Sequence, residues 1–382
     1  MKIVSIEPTP SPNSMKINLD EELPAGDTYN YKQGDNLEQA PQHIKDLLAI
    51  DGVKSLYHVM DFIALDRNPR ASWENVLPEV REALGTKEEN RDQENTQQQP
   101  AQAEDAFGEV KVFVQMFRGI PMQIKLDDGS EEKRVGLPEM FMNAAMKASP
   151  ASPNMVMERK WVEQNPRYGD MEEIGREVAE ELAASYDEQR LEALVERAFE
   201  EGAEEPVEPR KATQEDILAS LDDSDWKVRY AALDRMNPAF KDLPVLEKAL
   251  HDEKGSIRRL ATAYLGMIEE PEVLPYLYQA LKDKSVTVRR TAGDCLSDLG
   301  FKDAMPEMIA SLSDPNKLVR WRAAMFLYEI GDETAITKLE EAIDDPEFEV
   351  RMQAKMALQR IKGGEEAKGS VWHQMTQARK NN

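Results

Sequence analysis

The strongest constraint in this sequence is a dipeptide that returns on a fixed period. Val228-Arg229, Ile257-Arg258, Val288-Arg289, Val319-Arg320 and Val350-Arg351 follow one another at spacings of 29, 31, 31 and 31 residues. Six residues before each arginine stands an aspartate: Asp223, Asp252, Asp283, Asp314 and Asp345. Three residues after it comes an alanine (Ala232, Ala261, Ala292, Ala323, Ala354), and seven after it Met236, Leu265, Leu296, Leu327 or Leu358. Apolar residues at −1, +3 and +7, and at +10 in the last four copies, mark one face of a helix. Upstream of each aspartate lies a second amphipathic stretch, such as Val273 to Leu281. A unit of two short helices cannot bury its apolar face alone, so 213–364 is expected to be an all-α solenoid of five stacked helix pairs. Gly266, Gly300 and Gly331 follow helix ends and are expected to close them in the left-handed conformation.

The Asp…Val-Arg-x-x-Ala-x-x-x-Leu pattern resembles HEAT repeats of the short type, also seen in bilin-lyase-like proteins. The arginine and aspartate columns read as a ladder that pins one repeat to the next. Such pairs are weak singly, but a network of them fixes geometry. The +1 column holds Tyr230, Arg259, Arg290, Trp321 and Met352, with Tyr328 at +8 of the fourth copy. An aligned column with no shared residue type is expected to be a surface strip. Tyr, Trp and Arg are common anchors of protein interfaces, so these six residues are the candidate protein-binding site.

Residues 1–85 read as a small α+β domain with two helices. Lys2–Ile6 and Met15–Leu19 are strand-like, and 52–58 with 61–65 form a hairpin pattern. Trp73, Val76, Leu77, Val80 and Leu84 share one face of a helix capped by Ser72. The stretch Glu7-Pro8-Thr9-Pro10-Ser11-Pro12-Asn13-Ser14-Met15-Lys16-Ile17, followed by Gly52-Val53-Lys54-Ser55-Leu56 and Asp61-Phe62-Ile63, is similar to the Nfu/NifU N-terminal domain. Pro8, Thr9, Pro10, Pro12, Asn13 and Ser14 are the motif positions. Their bottom-up reading is a stiff turn between two strands, with the prolines fixing φ. The resemblance implies a related fold and a related partner in iron–sulfur cluster assembly. Proteins of that family hold their cluster on a Cys-x-x-Cys in a separate domain. The single cysteine here, Cys295, falls in a solenoid helix, so no cluster-carrying activity is implied.

The middle segment, 107–200, reads as α+β. Val110–Phe117, Met122–Leu126 and a strand from Val135 surround the turn Asp127-Asp128-Gly129. A helix is expected over Pro138–Lys147, then one or two charged helices from Met171 to Phe199, broken near Ser185-Tyr186-Asp187. Trp161 to Gly169 reads as the joining stretch. Met140, Met142, Met146, Met155 and Met157 read as adaptable core or interface filler. Residues 86–106 are poor in large apolar side chains and read as a flexible linker. Residues 201–212, with Glu204, Glu205, Pro206, Glu208 and Pro209, read as a stiffer spacer, and 365–382 as a polar tail. The chain is therefore multidomain. The order of an Nfu-like domain, a small α+β segment and short HEAT repeats resembles the conserved virulence factor C family of Gram-positive bacteria. That resemblance implies an effect on virulence-factor expression in pathogens and brings no molecular mechanism with it.

Few chemistries remain. With 48 Lys+Arg against 73 Asp+Glu, the net charge is −25, and no basic block is present, which disfavours nucleic acid as a partner. No apolar run approaches membrane-spanning length, and the N-terminus lacks a signal-peptide pattern, so a cytoplasmic protein is expected. One cysteine excludes an intramolecular disulfide. The four histidines, His43, His58, His251 and His373, form no local ligand pair. The His-Glu dipeptides of the HEAT-repeat deoxyhypusine hydroxylases, which the solenoid otherwise resembles, are missing. No phosphate-binding glycine loop or nucleophile elbow occurs. No catalytic residue, metal or cofactor is therefore expected. The leading reading is a non-catalytic scaffold with a protein partner of unknown identity. The alternatives are an accessory role in iron–sulfur assembly through 1–85, a HEAT-type lyase, and DNA binding through Arg259, Arg290 and Arg322.

Overall fold

The computed structural model describes residues 1–9, 11–24, 27–85, 109–200 and 213–364. Pro10, both expected linkers and the tail lie outside the described residues. The N-terminal domain is a five-stranded antiparallel sheet. Its strands are β1 (Ile3–Pro8), β2 (Ser14–Leu19), β3 (Thr28–Lys32), β4 (Val53–Val59) and β5 (Phe62–Arg67). Their order is β1-β2-β5-β4-β3. Alternate strand residues Ile17, Ile63, Leu65 and Leu56 pack on Ile44 and Leu47 of α1 (Gln42–Ala49) and on Trp73, Val76 and Val80 of α2 (Trp73–Ala83). Ser72 caps α2 by accepting the Glu74 N–H at 3.1 Å. Strand β3, Thr-Tyr-Asn-Tyr-Lys, was not expected. It has no aliphatic residue and lies at a sheet edge, where alternation with solvent carries little hydrophobic signal.

The domain brings together two histidines that lie 15 residues apart. Nε2 of His43 on α1 is 3.1 Å from Nδ1 of His58 on β4. Burial, aided by the His43 charge, pulls His58 down to about 4. The folded state thus keeps His58 neutral, while the unfolded chain protonates it below about 6.5. Stability from this group is whole above about pH 6.5 and is lost as pH falls toward 4. Thermal unfolding scans between pH 7 and 4 should show this loss, and His58→Gln should flatten the slope.

The middle domain holds β6 (Glu109–Phe117), β7 (Ile120–Asp127), β8 (Glu132–Gly136) and β9 (Lys160–Tyr168), in the order β8-β7-β6-β9. The stretch expected to be a joining segment is the edge strand β9. It is mostly exposed and carries Pro166, which an edge strand tolerates, so neither hydrophobic alternation nor composition marked it. Helices α3 (Glu139–Ala148), α4 (Met155–Glu158), α5 (Met171–Ser185) and α6 (Glu188–Arg197) complete the domain. Ile174 and Val178 of α5 pack on Val112, Ile124 and Leu126. Asp187 caps α6 through the Arg190 N–H at 2.7 Å, at the expected break. Of the methionines, Met140 and Met155 pack against the core, while Met142, Met146 and Met157 are exposed.

The remaining helices form five pairs: α7 (Gln214–Ser220) with α8 (Trp226–Asp234), α9 (Leu243–Leu250) with α10 (Gly255–Leu265), α11 (Leu274–Ala280) with α12 (Val286–Leu299), α13 (Met305–Ser311) with α14 (Lys317–Ile330), and α15 (Ile336–Ala342) with α16 (Phe348–Lys362). Their apolar faces form one continuous core from Ile217 to Leu358. Val228 is exposed although Ile257, Val288, Val319 and Val350 at the same position are buried, because no repeat among the described residues precedes the first pair to cover it.

The ladder is present. Arg229 donates through Nε and Nη2 to both oxygens of Asp252, at 2.7 and 2.9 Å. Arg258 grips Asp283 the same way, Arg289 grips Asp314, and Arg320 grips Asp345. The third nitrogen of each fork, Nη1, donates back to the carbonyl of its own repeat's aspartate, at 2.8 to 2.9 Å. Each gripped aspartate also accepts the N–H two residues on, as Asp283 does from Ser285 at 2.7 Å. Of the three glycines, only Gly300 is left-handed, with φ at +65°. Gly266 and Gly331 have φ near −67° and −62°. Their lack of a side chain serves close packing instead. A Cβ on Gly266 would meet Cys295 Sγ at 2.4 Å, and one on Gly331 would meet the Leu327 carbonyl at 2.4 Å. Arg289→Ala leaves Asp314 without its guanidinium and should cost about 2–4 kcal/mol in urea unfolding. The exposed Lys338→Ala, a matched control at the Lys338–Glu341 pair, should stay within about 0.5 kcal/mol.

Candidate protein-binding face

The second helices α8, α10, α12, α14 and α16 present the +1 column along one line, and this line is covered. Tyr230, Arg290 and Trp321 are 4%, 4% and 3% exposed. What covers them is the rest of the same chain. The strip expected to lie open as a surface is therefore an interface between the solenoid and the other two domains. Tyr328 lies outside it, half-buried against the solenoid core.

Each position meets a different partner. Tyr230 packs edge-on against Trp226. Arg259 reaches Glu181 of α5 at 3.0 Å, and Arg167 of β9 reaches the same carboxylate at 2.6 Å. Burial alone would raise Glu181, but the two guanidiniums outweigh it and hold the group below the usual carboxylate range. The guanidinium of Arg290 lies over the ring of Tyr168, the last residue of β9. Trp321 joins Leu318, Met325 and Val350 in a small cluster against which Tyr168 also packs. Met352 and Phe348 of α16 pack on the core of the N-terminal domain. Arg322, the third member of the arginine stripe considered for DNA, pairs with Asp294 at 2.6 Å. All three arginines of that stripe are thus engaged inside the molecule.

A second line of contacts ties the N-terminal domain in. Arg67, 2% exposed, lies over Trp73 and donates to Glu349 of α16 at 2.7 Å. Burial pulls the Arg67 guanidinium below its ordinary value, and Glu349 opposes that pull. Among the described residues Arg351 has no further repeat to grip, and its Nη2 lies 3.7 Å from Glu74 of α2. The turn that carries the Nfu-like motif sits at this junction. Thr9 Oγ1 donates to the carbonyls of Ser11 and Ser14, both at 3.0 Å. The Trp73 indole N–H donates to the Pro12 carbonyl at 2.8 Å. Ser11 Oγ and Asn13 Nδ2 donate to Glu109 of β6 at 2.6 and 3.2 Å, and the Ser14 hydroxyl donates to Asp66. Pro8 closes β1, opposite Met15. Sequence reasoning missed Glu181, Glu349, Arg67 and Glu109. No periodicity marks them, since each becomes significant only when two domains meet.

Among the described residues no group of three His, Cys, Asp or Glu side chains could hold a metal ion, and no helix is long and apolar enough to cross a membrane. Cys295 is buried, and burial pushes its thiol up, away from nucleophilic use.

The fold defines a helical-repeat protein that carries two small α+β domains. Family matches agree with that division. Residues 4–90 match the N-terminal family of the scaffold protein Nfu/NifU, residues 115–195 a family described as virulence factor, and residues 215–293 and 274–359 HEAT repeats. Protein YpgR of Bacillus subtilis (strain 168) is 59% identical over 380 residues, covering 100% of this chain and 99% of that one. Conserved virulence factor C of Staphylococcus haemolyticus is 44% identical over 278 residues, 72% of this chain and 71% of its own. The crystal structure of protein SAV1430 from Staphylococcus aureus is 44% identical, covers 22% of this chain and 98% of that one, and gives a TM-score of 0.21. The chain belongs to the conserved virulence factor C family.

Glu349→Gln leaves Arg67 buried without a counter-charge and should cost about 3 kcal/mol. The double replacement Arg67→Met with Glu349→Leu should cost less than either single change, read as a double-mutant cycle in thermal unfolding.

Proposed function

We propose that this protein is a non-catalytic, cytoplasmic scaffold whose solenoid holds the Nfu-like and virulence-factor domains in one fixed arrangement and offers their joint outer surface to a protein partner. The observation that carries this reading is the single strip of second-helix residues engaged with both other domains. Buried ionic pairs such as Arg67–Glu349 and Arg259–Glu181–Arg167 are poor sources of raw stability and good setters of geometry. A rigid platform with a composite face has use for that geometry. An effect on virulence, which the names of the staphylococcal relatives carry, would act through such a partner. The iron–sulfur accessory reading has less support, because Ser11 and Asn13 of the Nfu-like motif are engaged with Glu109 of the same chain.

The test compares the full chain with the variant Glu181→Gln/Glu349→Gln, in which both junctions lose their carboxylates. Cross-linking in cells followed by mass spectrometry should recover a reproducible partner with the full chain. The variant should retain its helical content by circular dichroism and lose at least tenfold of that partner. A partner retained equally by both, or none recovered by the full chain, would sink the platform reading.

A further inference from the structure

A cleft of about 550 Å³ opens where the middle domain meets the start of the solenoid. One wall is β8, which contributes Lys133 and Val135. The facing wall is α5, which contributes Glu172, Arg176, Ala179, Glu180 and Ala183, and Lys227 of α8 stands at its edge. Three independent observations bear on its use. First, among the described residues β8 is the outermost strand of its sheet, hydrogen-bonded to β7 on one side only. Its other side offers a row of backbone donors and acceptors to an added strand. Second, the floor is apolar and made of small side chains, Val135, Ala179 and Ala183, with Pro138 at the end, so space remains for the side chains of an incoming segment. Third, the lining carries three cations, Lys133, Arg176 and Lys227, against two carboxylates, Glu172 and Glu180, in a chain of net charge −25. Arg176 and Lys227 are exposed and have no ion pair among the described residues. Lys133 and Lys254 offset Glu172 and Glu180, at 2.6 and 2.9 Å.

We propose that this cleft takes an extended, acidic segment of a partner protein as a fifth strand of the middle sheet. Backbone hydrogen bonds to β8 supply affinity. Alternate side chains divide the recognition between the apolar floor and the basic rim. An acidic segment is selected because the rim carries the two unpaired cations of the site, while a basic segment would meet them as like charges. The proposal rests on the scaffold reading, to which it gives a partner chemistry. Partner capture by the intact chain through some other face would leave that reading standing even if the cleft proves silent.

The test uses the full chain, fluorescence anisotropy and two labelled hexapeptides, one alternating glutamate with valine and one alternating lysine with valine. The acidic peptide should bind and the basic one should not. Arg176→Glu/Lys227→Glu, both at exposed positions, should weaken the acidic peptide at least tenfold with circular dichroism unchanged. Hydrogen exchange of the β8 amides should slow when the acidic peptide is added. Equal binding of both peptides, binding by neither, indifference to the charge reversal, or unchanged exchange at β8 would each overturn the proposal. So would β8 amides already protected in the free chain and released by Glu204→Lys/Glu205→Lys/Glu208→Lys, which would mean that the chain's own acidic spacer fills the cleft.

Discussion

The architecture depends on how one guanidinium is divided. In each of the first four repeats the arginine places two nitrogens on the next repeat's aspartate and the third on its own repeat's carbonyl. A planar fork holds these three acceptors in one fixed geometry; a lysine ammonium also has three donors, but they radiate from a single nitrogen and do not match a carboxylate as a parallel pair. The aspartate is bound twice as well, by the arginine from one side and by the N–H of its own turn from the other. The inter-repeat angle is thus set by hydrogen-bond geometry at the turns, while the apolar core supplies most of the stabilisation. That division of labour lets the core residues vary in size without changing the line along which the second helices lie.

The line of second helices is what the other domains bind. Along 29- to 31-residue steps, the +1 position offers an aromatic ring, two guanidiniums, an indole and a thioether. Each has a partner of matching chemistry: Glu181 for Arg259, the Tyr168 ring for Arg290, the N-terminal core for Met352. The middle domain is held by an ion pair and a cation–π contact, and the N-terminal domain by apolar contacts together with the buried Arg67–Glu349 pair. The end of the ladder obeys the same logic. Among the described residues Arg351 meets no further aspartate of the ladder, and Glu74 of α2 lies 3.7 Å from its Nη2.

What could be read from the sequence follows from where each signal originates. The helix pairs, the ladder and the strands β2, β4 to β7 rest on local periodicity, which a single chain displays in full. Strands β3 and β9 lie at sheet edges, where half the pattern faces water and the remainder is polar, so their residues read as loop. Gly266 and Gly331 were legible as helix ends but not as packing sites, because the groups they make room for, Cys295 and the Leu327 carbonyl, belong to the fold's geometry. The +1 column read as an open surface strip, and Tyr230, Arg290 and Trp321 are instead buried within the same chain. Nothing local distinguishes an arginine that meets another protein from one that meets Glu181 of its own chain.

The variety of that column carries more information than its burial. In a solenoid that bound one repetitive ligand, geometrically equivalent positions would converge on one residue type, as the Asp and Arg columns do. A column that holds four residue types in five positions fits a partner whose surface changes along the solenoid. Two small domains docked end to end, one presenting Glu181 and Tyr168 and the other the apolar rim of its core, are such a partner. The heterogeneity at +1 and the regularity of the ladder are therefore one design read at two radii. The inner ring repeats because it meets itself, and the outer strip varies because it meets a surface with no repeat in it.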